Sequence, residues 1–217
     1  MSENLHLILG NKAYSSWSLR PWIALRVVEI EFTETVINLY DDDFKEKISQ
    51  FSKAGKVPVL KDGGITVWES LAILDYLADK FPEKNMWPSA PDARAFARSI
   101  SSEMHAGFQN IRSCMPMSVR RKLELKAEAE GLNAEIARIL YLWNECRKKF
   151  GQTGPFLFGE FSIADAMYAP VVSRFATYGV KLDDISAEYG KAILNLPAMR
   201  QWYTEAEQEP WVAEKYE

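Results

Sequence analysis

The feature that most constrains this chain is where its strand patterns stop. Short β-branched runs alternate with helical patterns over about the first 80 residues, and beyond FPEKNMWPSAPDA (81–93) nothing resembles a strand. LHLIL (5–9) reads as a buried strand, Trp17 to Val28 as a helix and FTETVINL (32–39) as a strand with a period near two. DFKEKISQF (43–51) reads as a short polar helix or turn. VPVL (57–60) and ITVW (65–68) flank Lys61-Asp62-Gly63-Gly64, a hairpin signal. Leu71, Leu74, Leu77, Ala78 and Phe81 recur at helical spacing, so 69–81 is an amphipathic helix. The order is βαβαββα: a parallel pair joined by a crossover helix, then antiparallel strands.

The stretch 81–93 holds three prolines and no periodicity, which marks a connector. Helical patterns then cover 92–117, 120–149, 162–178 and, more weakly, 183–205. The expected organisation is a mixed domain over 1–81, a linker over 82–91 and an all-helical domain over 92–217.

Bulk properties exclude several classes. Twenty-six basic residues against 30 acidic give a net charge of −4, which argues against nucleic-acid binding. No apolar run approaches the roughly 18–20 residues that span a bilayer, and MSENLHLILGNK is not a signal peptide, so a cytoplasmic protein without a membrane partner is expected. His6 and His105 have no metal-ligand spacing, so no metal is expected. Cys114 and Cys146 lie in helical patterns and read as reduced, buried thiols.

The candidate chemistry starts at AYSSWSLRPW (13–22). Proline fits a helix best within its first turn, so Pro21 favours Ser18 as the N-cap and leaves Ser15 and Ser16 in the turn before it. Free N–H groups and the helix dipole there favour an anion and lower the pKa of a thiol, whose unperturbed value is about 8.5. Satisfying the turn is the simpler role for all three serines. At Lys56-Val57-Pro58, the proline suits a strand edge or a cis peptide, which would let Val57 pair with an extended ligand. At Glu69-Ser70 a helix begins. Ser70 is a natural cap, but it could also hold a ligand carboxylate, and Glu69 an ammonium. A short extended peptide bearing a thiol would satisfy all three places.

On these residues the chain resembles the glutathione transferase family, through the βαβαββα half with VPVL, through WESLAILDYLADKFP and through FSIADAMYAPVV. In the last stretch, Ser162 and Asp165 form a capping box, a folding signal in that family and not a catalytic one. YSSWSLR resembles the serine motif of the zeta class, an SSCSxR pattern. The resemblance places Ser15 on the serine that activates glutathione, Ser16 beside it and Arg20 on the motif's arginine. Lys56 and Val57 fall before the cis-proline Pro58, and Glu69-Ser70 on the pair that holds the γ-glutamyl end. Trp17 stands where the zeta class has cysteine, close to the glutathione sulfur, and counts against maleylacetoacetate isomerisation.

The resemblance implies a thioredoxin-like domain followed by an all-α domain, in a homodimer. It also implies glutathione as co-substrate and a small hydrophobic electrophile as partner. His105, Phe108, Asn110 and Arg112 are candidates for the electrophile wall. The implied reaction is attack by glutathione thiolate, assisted by Ser15 or Ser16. The alternatives are a glutathione-dependent cis–trans isomerase and a non-catalytic binding protein of the same fold.

Overall fold

The computed structural model describes residues 5–125 and 130–213. Its first part runs β1 (Leu5–Gly10), α1 (Ser16–Val27), β2 (Phe32–Ile37), α2 (Phe44–Ser49), β3 (Val59–Asp62), β4 (Ile65–Trp68) and α3 (Ser70–Lys80). The sheet order is β2-β1-β3-β4, with β1 parallel to β2 and antiparallel to β3, and β3 antiparallel to β4. Two reversals make β4 run parallel to β1. Helices α1 and α3, which follow these two strands, therefore start from the same end of the sheet, and they pack together. The βαβαββα expectation is met.

A 3-10 turn at Pro82–Lys84 leads to α4 (Pro91–Ala106), α5 (Gln109–Cys114), α6 (Leu132–Lys149), α7 (Ile163–Thr177), α8 (Asp184–Asn195) and α9 (Pro197–Gln208). Three helical patterns are shorter or more divided than their sequence suggested. The pattern over 92–117 breaks at Gly107–Phe108, where Phe108 takes a left-handed φ of 62° and α5 starts anew. The pattern over 183–205 divides at Leu196, because Pro197 favours a first helical position over an interior one. The helix expected over 120–149 begins at Leu132; residues 121–125 are irregular, and 126–129 lie outside the described residues.

Helix α7 is the central pillar, with every residue buried except Ala176. At its start the Ser162 N–H donates to Asp165 Oδ2 at 2.8 Å, and the Leu157 N–H to Oδ1 at 3.0 Å. Asp165 thus ties the preceding loop to the helix, and burial pushes its carboxyl up to about 6. Trp22, Trp143 and Trp202 are fully buried, and each such side chain contributes about 1.5–3 kcal/mol. Trp22 on α1 meets Trp202 on α9 edge-on at 5.1 Å. Lys12, just after β1, pairs with Glu34 and Glu205, so sheet and helices share one core. Cys146 is buried, and burial raises its thiol pKa; Cys114 is only half-buried, contrary to expectation, because α5 is a short surface helix.

Candidate functional site

The turn between β1 and α1 corrects the expected serine roles. Ser15, not Ser18, is the N-cap, and Pro21 lies in the helix as its sixth residue. The Ser18 N–H donates to Ser15 Oγ at 3.3 Å, the Ser15 hydroxyl donates to Ser18 Oγ at 2.8 Å, and the Gly10 N–H donates to the same Ser18 oxygen at 2.9 Å. Interior proline costs a helix about 3 kcal/mol. Here the serine network and the burial of nine of the helix's twelve residues outweigh that loss.

Ser16 is used differently. Its Oγ accepts a hydrogen bond from Arg174 Nη2 at 3.1 Å, and the described residues offer no acceptor for its own hydroxyl hydrogen. Arg174, on α7, also donates through Nε to the Met115 carbonyl at 2.8 Å. Arg174 is buried, and its pKa is lowered to about 9, first by desolvation and then by Arg112.

A cavity of about 390 Å³, within the 300–1,000 Å³ range of small-molecule sites, opens at this helix end. Ser15, Ser16 and Trp17 line it from α1, Lys56 and Val57 from the loop before β3, and Arg112 and Arg174 from the helical half. The Val57–Pro58 peptide is cis, and Pro58 is buried behind the opening.

Two guanidinium groups lie against the Trp17 ring, with the Arg20 carbon 4.2 Å and the Arg112 carbon 4.5 Å from its centre. Arg20 is fully buried. Its Nε donates to the Met167 carbonyl at 3.2 Å, while both Nη atoms lack partners among the described residues. Burial, then Arg112 and Arg174, lower its pKa. Arg112 donates to the Gly107 and Met104 carbonyls at the end of α4, and its Nη1 is unpartnered among the described residues. Three neighbouring cations, two of them with unused donors among the described residues, favour an anion above Ser16.

The remaining candidates lie elsewhere. Glu69 is the residue before α3, at a left-handed φ of 69°, and its side chain is exposed. Ser70 is buried, and its Oγ has no partner among the described residues. Glu69 and His105 line a separate cavity of about 430 Å³. His105 touches Trp17 edge-on at 5.3 Å, which links the two cavities. Phe108 and Asn110 line neither cavity: Phe108 is buried at the α4–α5 break, and Asn110 donates to Glu135 at 3.0 Å.

Sequence reasoning passed over Arg174. The signal available was a lone arginine in the apolar run APVVSRFAT, since a buried arginine needs partners. Among the described residues, no cluster of His, Cys, Asp or Glu is placed to hold a metal ion.

Residues 14–80 match the family model of the glutathione S-transferase N-terminal domain, and residues 126–205 that of the C-terminal domain. The maleylacetoacetate isomerase of Rattus norvegicus is 32% identical over 197 residues, covering 86% of this chain and 87% of the relative. Glutathione S-transferase Z2 of Arabidopsis thaliana is 28% identical over 204 residues, covering 87% and 88%. A glutathione transferase homologue from Burkholderia, solved with bound glutathione, superposes with a TM-score of 0.72 at 18% identity. That superposition covers 95% of this chain and 100% of the other.

Proposed function

The chain belongs to the glutathione S-transferase family, nearest the zeta class, and is a glutathione-binding transferase; from that premise we propose that Ser16 activates the thiol and that the electrophile carries a carboxylate. One observation carries the reading: Ser16 has its oxygen held by Arg174 and its hydrogen uncommitted, on the wall of the cavity. A hydroxyl that accepts from a cation is a stronger donor toward a sulfur anion. Ser15 has its hydrogen committed to Ser18 Oγ and gives the same bond only by breaking that link.

In this scheme glutathione lies extended, with its sulfur at Ser16, its backbone along Val57 and its γ-glutamyl end at Glu69 and Ser70. The Ser70 hydroxyl at the start of α3, without a partner among the described residues, suits the γ-glutamyl carboxylate, and Glu69 suits the ammonium. The thiol proton passes to water on binding. The thiolate's electron pair then forms the carbon–sulfur bond, and the leaving group departs. At a carbon–carbon double bond, the adjacent carbon instead takes a proton from water. Arg112, which lines the cavity and keeps an unused donor among the described residues, holds the electrophile's carboxylate, with the charge of Arg174 beside it.

The same arginines favour a second reading, glutathione-dependent isomerisation of a maleyl-type acid. Here the thiolate adds, the single bond so formed rotates, and the thiolate is expelled. The 32% identity to a protein named maleylacetoacetate isomerase supports it, and Trp17 in the place of cysteine weighs against it. Assays with a chloronitroaromatic acid, its uncharged analogue and a maleyl acid separate the readings. Faster turnover of the chloro acid than of its analogue supports the main one. Turnover of the maleyl acid alone supports the second. Calorimetry showing no glutathione binding at millimolar concentration would leave only a non-catalytic protein. A homodimer is part of the proposal: the edge strand β4 exposes Ile65 and Trp68 at 49% and 52%, apolar area suited to a second copy. Light scattering tests it.

A further inference from the structure

His105 stands on the last turn of α4, where it was expected to face the electrophile. Its Nε2 instead lies 3.6 Å from Glu69 Oε2, an ion-pair distance too long for a hydrogen bond. Its ring rests against Trp17, its Nδ1 is buried without a partner among the described residues, and it shares the 430 Å³ cavity with Glu69. The helical half thus places one titratable group on the only chain carboxylate assigned to glutathione's ammonium.

We propose that His105 is a positioning residue for glutathione capture: its neutral imidazole leaves the Glu69 carboxylate's charge to the γ-glutamyl ammonium, and its protonated form competes with that ammonium. The inference rests on the reading of Glu69 given above. The charges around His105 are Glu69 at the start of α3, Arg20 from α1 and Arg112 from α5, with Asp75 of α3 and Arg98 of α4 on the shared cavity wall. Burial, then Arg20, lower the His105 pKa, and Glu69 opposes them. The site is therefore in its capturing form at neutral pH. As pH falls through the lowered His105 pKa, the imidazolium neutralises Glu69 and glutathione binding weakens. By linkage, bound ammonium lowers the His105 pKa further.

The test uses S-methylglutathione, which has the γ-glutamyl ammonium but no thiol to titrate. Its Kd is measured by calorimetry from pH 5 to pH 7.5 on the intact protein, on His105→Gln, on His105→Asn as a second variant, and on Glu69→Gln. The native protein should bind about fivefold more weakly at the acid end, the size expected for a partly exposed ion pair. Both His105 variants should lose that slope. Glu69→Gln should bind weakly at every pH, also without the slope. A slope that survives in both His105 variants, or no slope in the native protein, overturns the role of His105. Unchanged affinity in Glu69→Gln overturns instead the underlying reading of Glu69.

Discussion

Helices α1 and α3 leave the same end of the sheet, and each begins on a serine, yet their surroundings carry opposite charge. The start of α1 is buried and closed by its own serine network, with Arg20, Arg112 and Arg174 gathered around Trp17 and Ser16. The start of α3 has no side-chain cap bond and holds an exposed Glu69 in left-handed backbone beside His105. The first end suits a developing anion, the sulfur, and an electrophile's carboxylate. The second suits an ammonium, with one buried hydroxyl for a carboxylate next to it. In the proposed binding mode a zwitterionic thiol peptide bridges the two, with the charge difference setting which way round it lies.

Breaking the α1 end should have the largest effect. Ser16→Ala removes the donor to the thiolate and should lower kcat about a hundredfold, the usual cost of one anion-stabilising donor. Steady-state kinetics at saturating glutathione check it, and S-methylglutathione affinity should move far less. Arg112→Lys keeps the charge but loses the planar fork. The preference in kcat/KM for a carboxylate-bearing electrophile over its uncharged analogue should drop about tenfold. At the α3 end, Glu69→Gln should weaken S-methylglutathione about fivefold near neutral pH, read by calorimetry. The smallest effect separates the two neighbouring serines. Ser15→Ala should remove about 1 kcal/mol of stability with the lost cap, seen as a melting point lower by about 2–4 °C.

The first half of the fold was legible because each element carries its own local signal. ITVW became β4 with the expected bounds, and the hairpin formed, although β3 runs two residues later than VPVL and takes in Lys61 and Asp62 of the expected turn. The capping box at Ser162 and Asp165 was equally local. The breaks at Gly107–Phe108 and Leu196 were harder, because apolar spacing continues across them while the backbone turns. The start of α1 was misjudged for a related reason. Pro21 speaks for local hydrogen bonding, but burial of α1 against α7 and α9 decides where that helix begins. The site divides along the same line. Ser15, Ser16, Trp17, Lys56 and Val57 come from contiguous motifs and do meet in one cavity. Arg174 reaches Ser16 across 158 positions of sequence, a contact no local pattern encodes. Likewise, His105 meets Glu69 only because α4 ends beside α3.

The central claim is that Ser16, held by Arg174, stabilises the thiolate while Ser15 caps the helix. Titrating enzyme-bound glutathione by its ultraviolet thiolate absorbance tests this most directly. The thiol pKa should be depressed in the native protein, stay depressed in Ser15→Ala and rise toward the free value in Ser16→Ala. A rise in Ser15→Ala with none in Ser16→Ala would contradict the account.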